Sequence, residues 1–189
     1  MDVITYAAVV DVCARLAGRL SDDVLDSIRV HYAVGEGYLA EATLLLSLVH
    51  EGSGITAEER DLIRRTLEDP DHPELDDVLA VDEVPLLYRF GPGGTPDARA
   101  DALLSAEAPK HGGREPLRAW REPLAGAPGP ATWVYVVRVA PGTDELLAYS
   151  GLSSRLAVEL RAPWLVEVVT EGRDLSRYQA AVLAAARKT

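Results

Sequence analysis

The stretch TWVYVVRVA, residues Thr132 to Ala140, is apolar at nearly every position. Trp133, Tyr135, Val137 and Val139 alternate to one side, with Val134, Val136 and Arg138 on the other. A strand with so little polar surface belongs in the interior of a sheet, so this stretch predicts a central strand. Its neighbours are sought among the shorter runs Val84–Phe90 (VPLLYRF), Arg155–Leu160 and Trp164–Thr170, which read as further strands. Between the first of these and the central strand, Asp97–Glu107 reads as a short helix with Ala98, Ala102, Leu103 and Ala106 inward. Residues Pro109 to Pro130 read as an irregular, Gly- and Pro-rich surface loop. That loop contains REPLRAWREPL, Arg114 to Leu124, where Trp120 reads as the loop's anchoring aromatic or, among Arg114, Arg118 and Arg121, as a surface that stacks on a base or a guanidinium. Asp174 is placed to cap a C-terminal helix carrying Leu175, Tyr178, Val182 and Ala185 on one stripe.

Upstream of residue 84 the period is helical. Val3–Leu20 places Val9, Val12, Cys13 and Leu16 on one face, and Ser21 followed by Asp22 and Asp23 marks a second helix start. Tyr38–Val49 is a third helix, with Leu39, Ala42, Leu45, Leu46 and Val49 as its stripe. Gly35-Glu36-Gly37 lies between these two helices and follows no strand, so it reads as a helix corner or close helix contact rather than a phosphate loop. Thr56-Ala57-Glu58-Glu59 is a capping box that opens a fourth helix to about Glu68, with Leu62, Ile63, Thr66 and Leu67 inward. The predicted class is α+β: an N-terminal small helical bundle, then a mixed or antiparallel sheet lobe with a C-terminal helix. The division is 1–69 for the acidic helical lobe, 70–83 for an acidic Pro-containing linker, and 84–189 for the α+β lobe.

Charge divides along the same line. Met1–Glu83 holds 6 Lys and Arg against 19 Asp and Glu, a net of −13, whereas the remainder has 13 against 11, a net of +2. An acidic surface repels phosphate backbones and attracts basic proteins, so the N-terminal half predicts no nucleic acid and a basic protein partner. Glu68, Asp69, Asp71, Glu74, Asp76, Asp77, Asp82 and Glu83 fall in one stretch without a lysine or arginine. It reads either as a solvated linker or as the docking segment for that partner.

Little else carries chemistry. Cys13 is the only cysteine and sits among Val9, Val10, Leu16 and Ala17, which marks a buried structural thiol. His31 and His50 lie nineteen positions apart with no zinc-type spacing, and no metal or cofactor is expected. No apolar run approaches the roughly 20 residues of a membrane span, so no membrane partner is expected. The acidic Asp2 and the lack of a small-residue cleavage site predict a cytoplasmic location.

Three short pieces follow the order of a known site. LLYRF with Arg89, GLSS with Ser153 and Ser154, and WLVEVV with Glu167 together resemble the ADP-ribosyltransferases of the arginine–serine–glutamate type. That resemblance implies an NAD-dependent transferase in the C-terminal half, with Arg89 and Ser153 at the dinucleotide and Glu167 positioning the attacking group. The paired E-x-E or Q-x-E of that family is absent, and thirteen residues from Ser154 to Glu167 is a short interval for its fold. The expectation favoured by the charge pattern is a non-catalytic binding or inhibitory protein, of the immunity or antitoxin kind. A scaffold that oligomerises through the apolar helix Tyr38–Val49 is a further alternative.

Overall fold

The Asp2 carboxylate accepts hydrogen bonds from the backbone N–H groups of Ile4 and Thr5, and so caps the first helix, α1 (Val3–Leu16). The computed structural model describes residues 1–162 and 164–189. Three more helices follow: α2 (Asp22–Ala33), α3 (Gly37–His50) and α4 (Ala57–Arg64). Then come β1 (Tyr88–Gly91), α5 (Ala98–Glu107), β2 (Leu117–Pro123) and β3 (Thr132–Val139). The chain ends through α6 (Glu145–Leu160), β4 (Leu165–Thr170), α7 (Arg177–Ala185) and the two-residue β5 (Arg187–Lys188). The class is α+β, with the helical part first and a mixed sheet after it, as the patterning predicts.

The sheet order is β1-β2-β3-β4. β1, β2 and β3 are antiparallel, whereas β3 and β4 run parallel and are joined by α6. β5 pairs with Leu117 and Arg118, end to end with β1 along the same edge of β2. As predicted, β3 is interior: Val134, Val136, Tyr135, Val137 and Val139 are all buried. One face, through Tyr135, Val137, Val139, Val166 and Val168, packs on α5 and α6. The other face, through Ala119, Val134, Val136 and Val169, joins Tyr178 and Val182 of α7 in a cluster continuous with Val9, Leu16, Ile28 and Leu45 of the helices. One apolar cluster therefore runs from the N-terminal helices to the sheet.

Several elements differ from their sequence expectation, each for a physical reason. Arg155–Leu160, expected as a strand, is the last part of α6, whose buried Leu146, Tyr149, Leu152 and Leu156 keep the helical interval. A parallel β3–β4 pair also needs a crossover of that size. The expected loop around Trp120 is strand β2, with Ala119 and Arg121 buried and alternating as a strand requires. The fully inward residues of α5 are Ala100 and Leu104, two positions on from the expected Ala98 and Ala102; Leu103 packs half-buried on the same cluster, and Ala98, Ala102 and Ala106 are exposed. α7 starts at a capping box formed by Ser176 and Gln179, not at Asp174. On α3 the buried residues are Ala40, Leu44, Leu45 and Leu48, while Leu39, Leu46 and Val49 face outward. A helix apolar on every side has no pattern by which sequence can choose its inner face.

α1 stops short of Leu20 because Gly18 turns left-handed at φ +72°, where the Tyr178 ring lies 2.6 Å from where a Cβ would stand. The Gly35-Glu36-Gly37 corner is confirmed, and its two glycines are not equivalent. Gly35 (φ +83°) closes a Schellman cap in which the Glu36 N–H donates to the His31 carbonyl and the Gly35 N–H to that of Tyr32. Gly37 has no such angle and touches nothing closer than Glu41 Oε1 at 4.0 Å, so no close helix contact requires it. Gly35→Ala is expected to lower unfolding stability by about 1–2 kcal/mol, the left-handed penalty of an L-residue. Gly37→Ala is expected to raise it by about 0.4–1 kcal/mol through the unfolded chain. Urea denaturation of the two variants beside the parent checks the opposite signs.

Candidate functional site

Two turns of α2 carry the polar groups on which the packing of helices against sheet turns. Asp22 and Arg29 are seven residues apart, so they lie within about 20° on one helix face. Each meets an opposite charge from the sheet. Arg121 of β2, with no solvent exposure, donates from both terminal nitrogens to the Asp22 carboxylate at 2.8 and 2.7 Å, and its guanidinium stacks 4.2 Å over the Tyr88 ring. Arg29, buried among the helices, donates to both oxygens of Glu167 on β4 at 2.9 and 3.1 Å, and Gln179 donates to the same carboxylate at 3.1 Å. Burial pulls on both guanidiniums to lose their charge; Glu167 for Arg29 and Asp22 for Arg121 outweigh it and hold both above the ordinary arginine value.

Around this frame lie further buried polar groups. Tyr149, under the Arg29 guanidinium at 4.8 Å, donates to Asp26 at 2.6 Å, and Ser153 donates to the same oxygen at 2.9 Å. Burial pushes the Cys13 thiol up to about 11, which leaves it a packed, un-ionised side chain at neutral pH. Burial also pushes the Glu145 carboxyl above its ordinary 4.5, against a 2.7 Å hydrogen bond from Thr170 and the nearby Arg173.

The three residues of the transferase resemblance are not assembled. Arg89 stands exposed on β1, on the opposite sheet face from Glu167 and at the opposite edge, paired with Glu122 at 2.7 Å. Ser153 and Ser154 are on helix α6 rather than a strand, with Ser153 engaged by Asp26. Glu167 is buried under Arg29 and Gln179. Among the described residues no group of three or more His, Cys, Asp or Glu side chains is arranged to hold a metal ion, and no helix is long and apolar enough to cross a membrane.

The acidic stretch, by contrast, is brought together as a surface. Leu75 and Val78 are buried in the main cluster. Arg60 donates to the carbonyls of Leu75 and Val78; the Ile55 N–H donates to the Leu79 carbonyl, and the Ile55 carbonyl accepts from the Val81 N–H. The segment is thereby docked on the helices, with Glu68, Asp69, Asp71, Asp76, Asp77, Asp82 and Glu83 exposed and Glu74 half-buried. Only Asp76, 3.9 Å from Arg60, and Glu83, 3.0 Å from Arg177, have ion-pair partners among the described residues.

Its far end forms one wall of a cleft of about 430 Å³, bounded also by α1, the start of α4 and the start of α7. Six carboxylates line it (Asp11, Glu58, Glu59, Asp82, Glu83 and Asp174) against three guanidiniums, Arg15, Arg19 and Arg177. The charge run 68–83 is legible in the sequence; Asp11 and Asp174 join it only through folding. The Asp22–Arg121 pair, half-buried at its acid, and the buried Arg29–Glu167 pair are not predicted by the patterning; their trace in the sequence is an acid and a base seven apart on one face of α2.

No protein-family model, curated protein or solved structure matches the chain.

Arg29→Met strands the Glu167 carboxylate without its cation, and is expected to cost about 3–5 kcal/mol in urea denaturation. The double change Arg29→Met with Glu167→Leu is expected to recover most of that loss, since an apolar pair of similar volume replaces both charges. For Glu145 the raised folded-state value means that its favourable contribution is complete below about pH 4.5 and is lost as pH rises through the folded value. Glu145→Gln is therefore expected to flatten the fall in stability above pH 4.5, measured by denaturant titrations across pH.

Proposed function

We propose that this chain is a non-catalytic, inhibitory binding protein of the immunity or antitoxin kind, acting in the cytoplasm on a basic protein partner. The observation that supports it is the docked acidic segment, which keeps its carboxylates exposed and mostly free of internal cations. A flexible acidic linker would lose conformational entropy on binding; a segment already pinned by Leu75, Val78 and Arg60 loses less. Like-signed carboxylates exposed along one docked segment raise the encounter rate with a cationic surface and turn away nucleic acid. The −13 of residues 1–83 extends that field well beyond the segment itself.

The test starts from capture of cross-linked partners in the source cell at low ionic strength, followed by association kinetics with the purified partner. A strongly basic partner is expected, with an association rate that falls steeply as salt shortens the Debye length from about 30 Å at 0.01 M to 3 Å at 1 M. Reversing Asp69, Asp71, Asp76 and Asp77 to lysine is expected to slow association by about tenfold or more. The same variant is expected to melt close to the parent, because these side chains are exposed. A neutral or acidic partner, or a rate insensitive to salt, would sink the proposal.

A further inference from the structure

We propose that the 430 Å³ cleft is the seat of a short segment of that basic partner, bearing an arginine or lysine beside an apolar residue. This rests on the reading of the chain as a binder of a basic protein, and adds where and how the partner is gripped.

The three guanidiniums of the cleft are already satisfied. Arg19 is held within the helices by Glu59 at 2.5 Å and by the Gly54 carbonyl, Arg15 pairs with Glu58 at 2.7 Å, and Arg177 donates to Glu83 and the Val84 carbonyl at 3.0 and 3.1 Å. Asp82 and Asp174, exposed on separate elements, have no ion-pair or side-chain hydrogen-bond partner among the described residues. The cleft therefore carries uncompensated negative charge on two of its walls. Beside it are Leu86 and Leu175, exposed at 37% and 41%. The complement of that surface is a cationic head on an aliphatic stem, with an apolar neighbour.

An anionic occupant is disfavoured by the same residues. Two helix N-termini reach the cleft, and free N-terminal amides attract anions. Here both are closed by reciprocal capping boxes: Thr56 with Glu59 on α4, and Ser176 with Gln179 on α7. Glu58 and Glu59 add negative charge at the first of them. A cleft of about 430 Å³ lies in the size range of small-ligand pockets, so it takes a few side chains of a partner rather than a folded element as a whole.

The test is an amide-resolved NMR titration of the full chain at low salt with a blocked heptapeptide containing two arginines and two leucines. Saturable shifts are expected at Gly18, Leu86, Leu175 and Arg177. Asp82→Asn with Asp174→Asn is expected to weaken binding about tenfold, whereas Asp69→Asn with Asp71→Asn leaves it within about twofold. A peptide with glutamates in place of the arginines, and inorganic phosphate, are expected to shift none of these amides. Shifts confined to residues 68–77, weakened only by the second pair of changes, would overturn the cleft while leaving the acidic face as the docking surface. No saturable shift anywhere overturns the cleft as well, and the salt dependence measured with the captured partner then judges the broader proposal by itself.

Discussion

The placement of helices on the sheet is set by two ion pairs carried by one face of α2, laid over the apolar cluster that the two layers share. Arg121 and Glu167 occupy one sheet face, two strands apart, and the register through β3 places them four residues apart along the strand direction. With strands about 4.8 Å apart and a rise of about 3.3 Å per residue, that is about 16 Å between backbones. Asp22 and Arg29 are separated by about 10.5 Å along α2. The difference is within reach of long side chains, and each pair supplies one arginine, from the sheet in one case and from the helix in the other. α2 packs against α1, α3 and α6, so these contacts fix the helical layer relative to β2 and β4 together.

That arrangement also accounts for the isolation of the acidic surface. Of the six arginines in the first 83 residues the structure uses three internally: Arg29 for Glu167, Arg19 for Glu59 and Gly54, Arg60 for the carbonyls that hold the acidic segment. Most carboxylates of the acidic segment have no cation against them among the described residues, and they stand on backbone that is already ordered.

Elements whose local signal agreed with their environment were legible in the sequence. The capping box at Thr56, the corner at Gly35 and the continuous apolar run of β3 each arise from interactions within a few residues, and each is found as expected. β2 was illegible because its inward face includes Arg121, a charge made tolerable only by Asp22, ninety-nine residues away in the chain. The end of α6 was misread because RLAVEL alternates as a strand does, and only the parallel β3–β4 pairing demands a helix there. In the transferase resemblance, three residue types in the right order fell on two sheet faces and a helix, since order along a chain does not set direction in space.

By itself the sequence determined the α+β class, the order of helices before sheet, the central strand and the concentration of negative charge before residue 84, because these follow from local periodicity and composition. Only the tertiary structure decided which arginines are withdrawn into the interior, which face of the apolar helix α3 is covered, and that Asp82 and Asp174 line one cleft. Those outcomes depend on pairings between residues far apart in the chain, whose energies appear only when burial removes water from both partners at once.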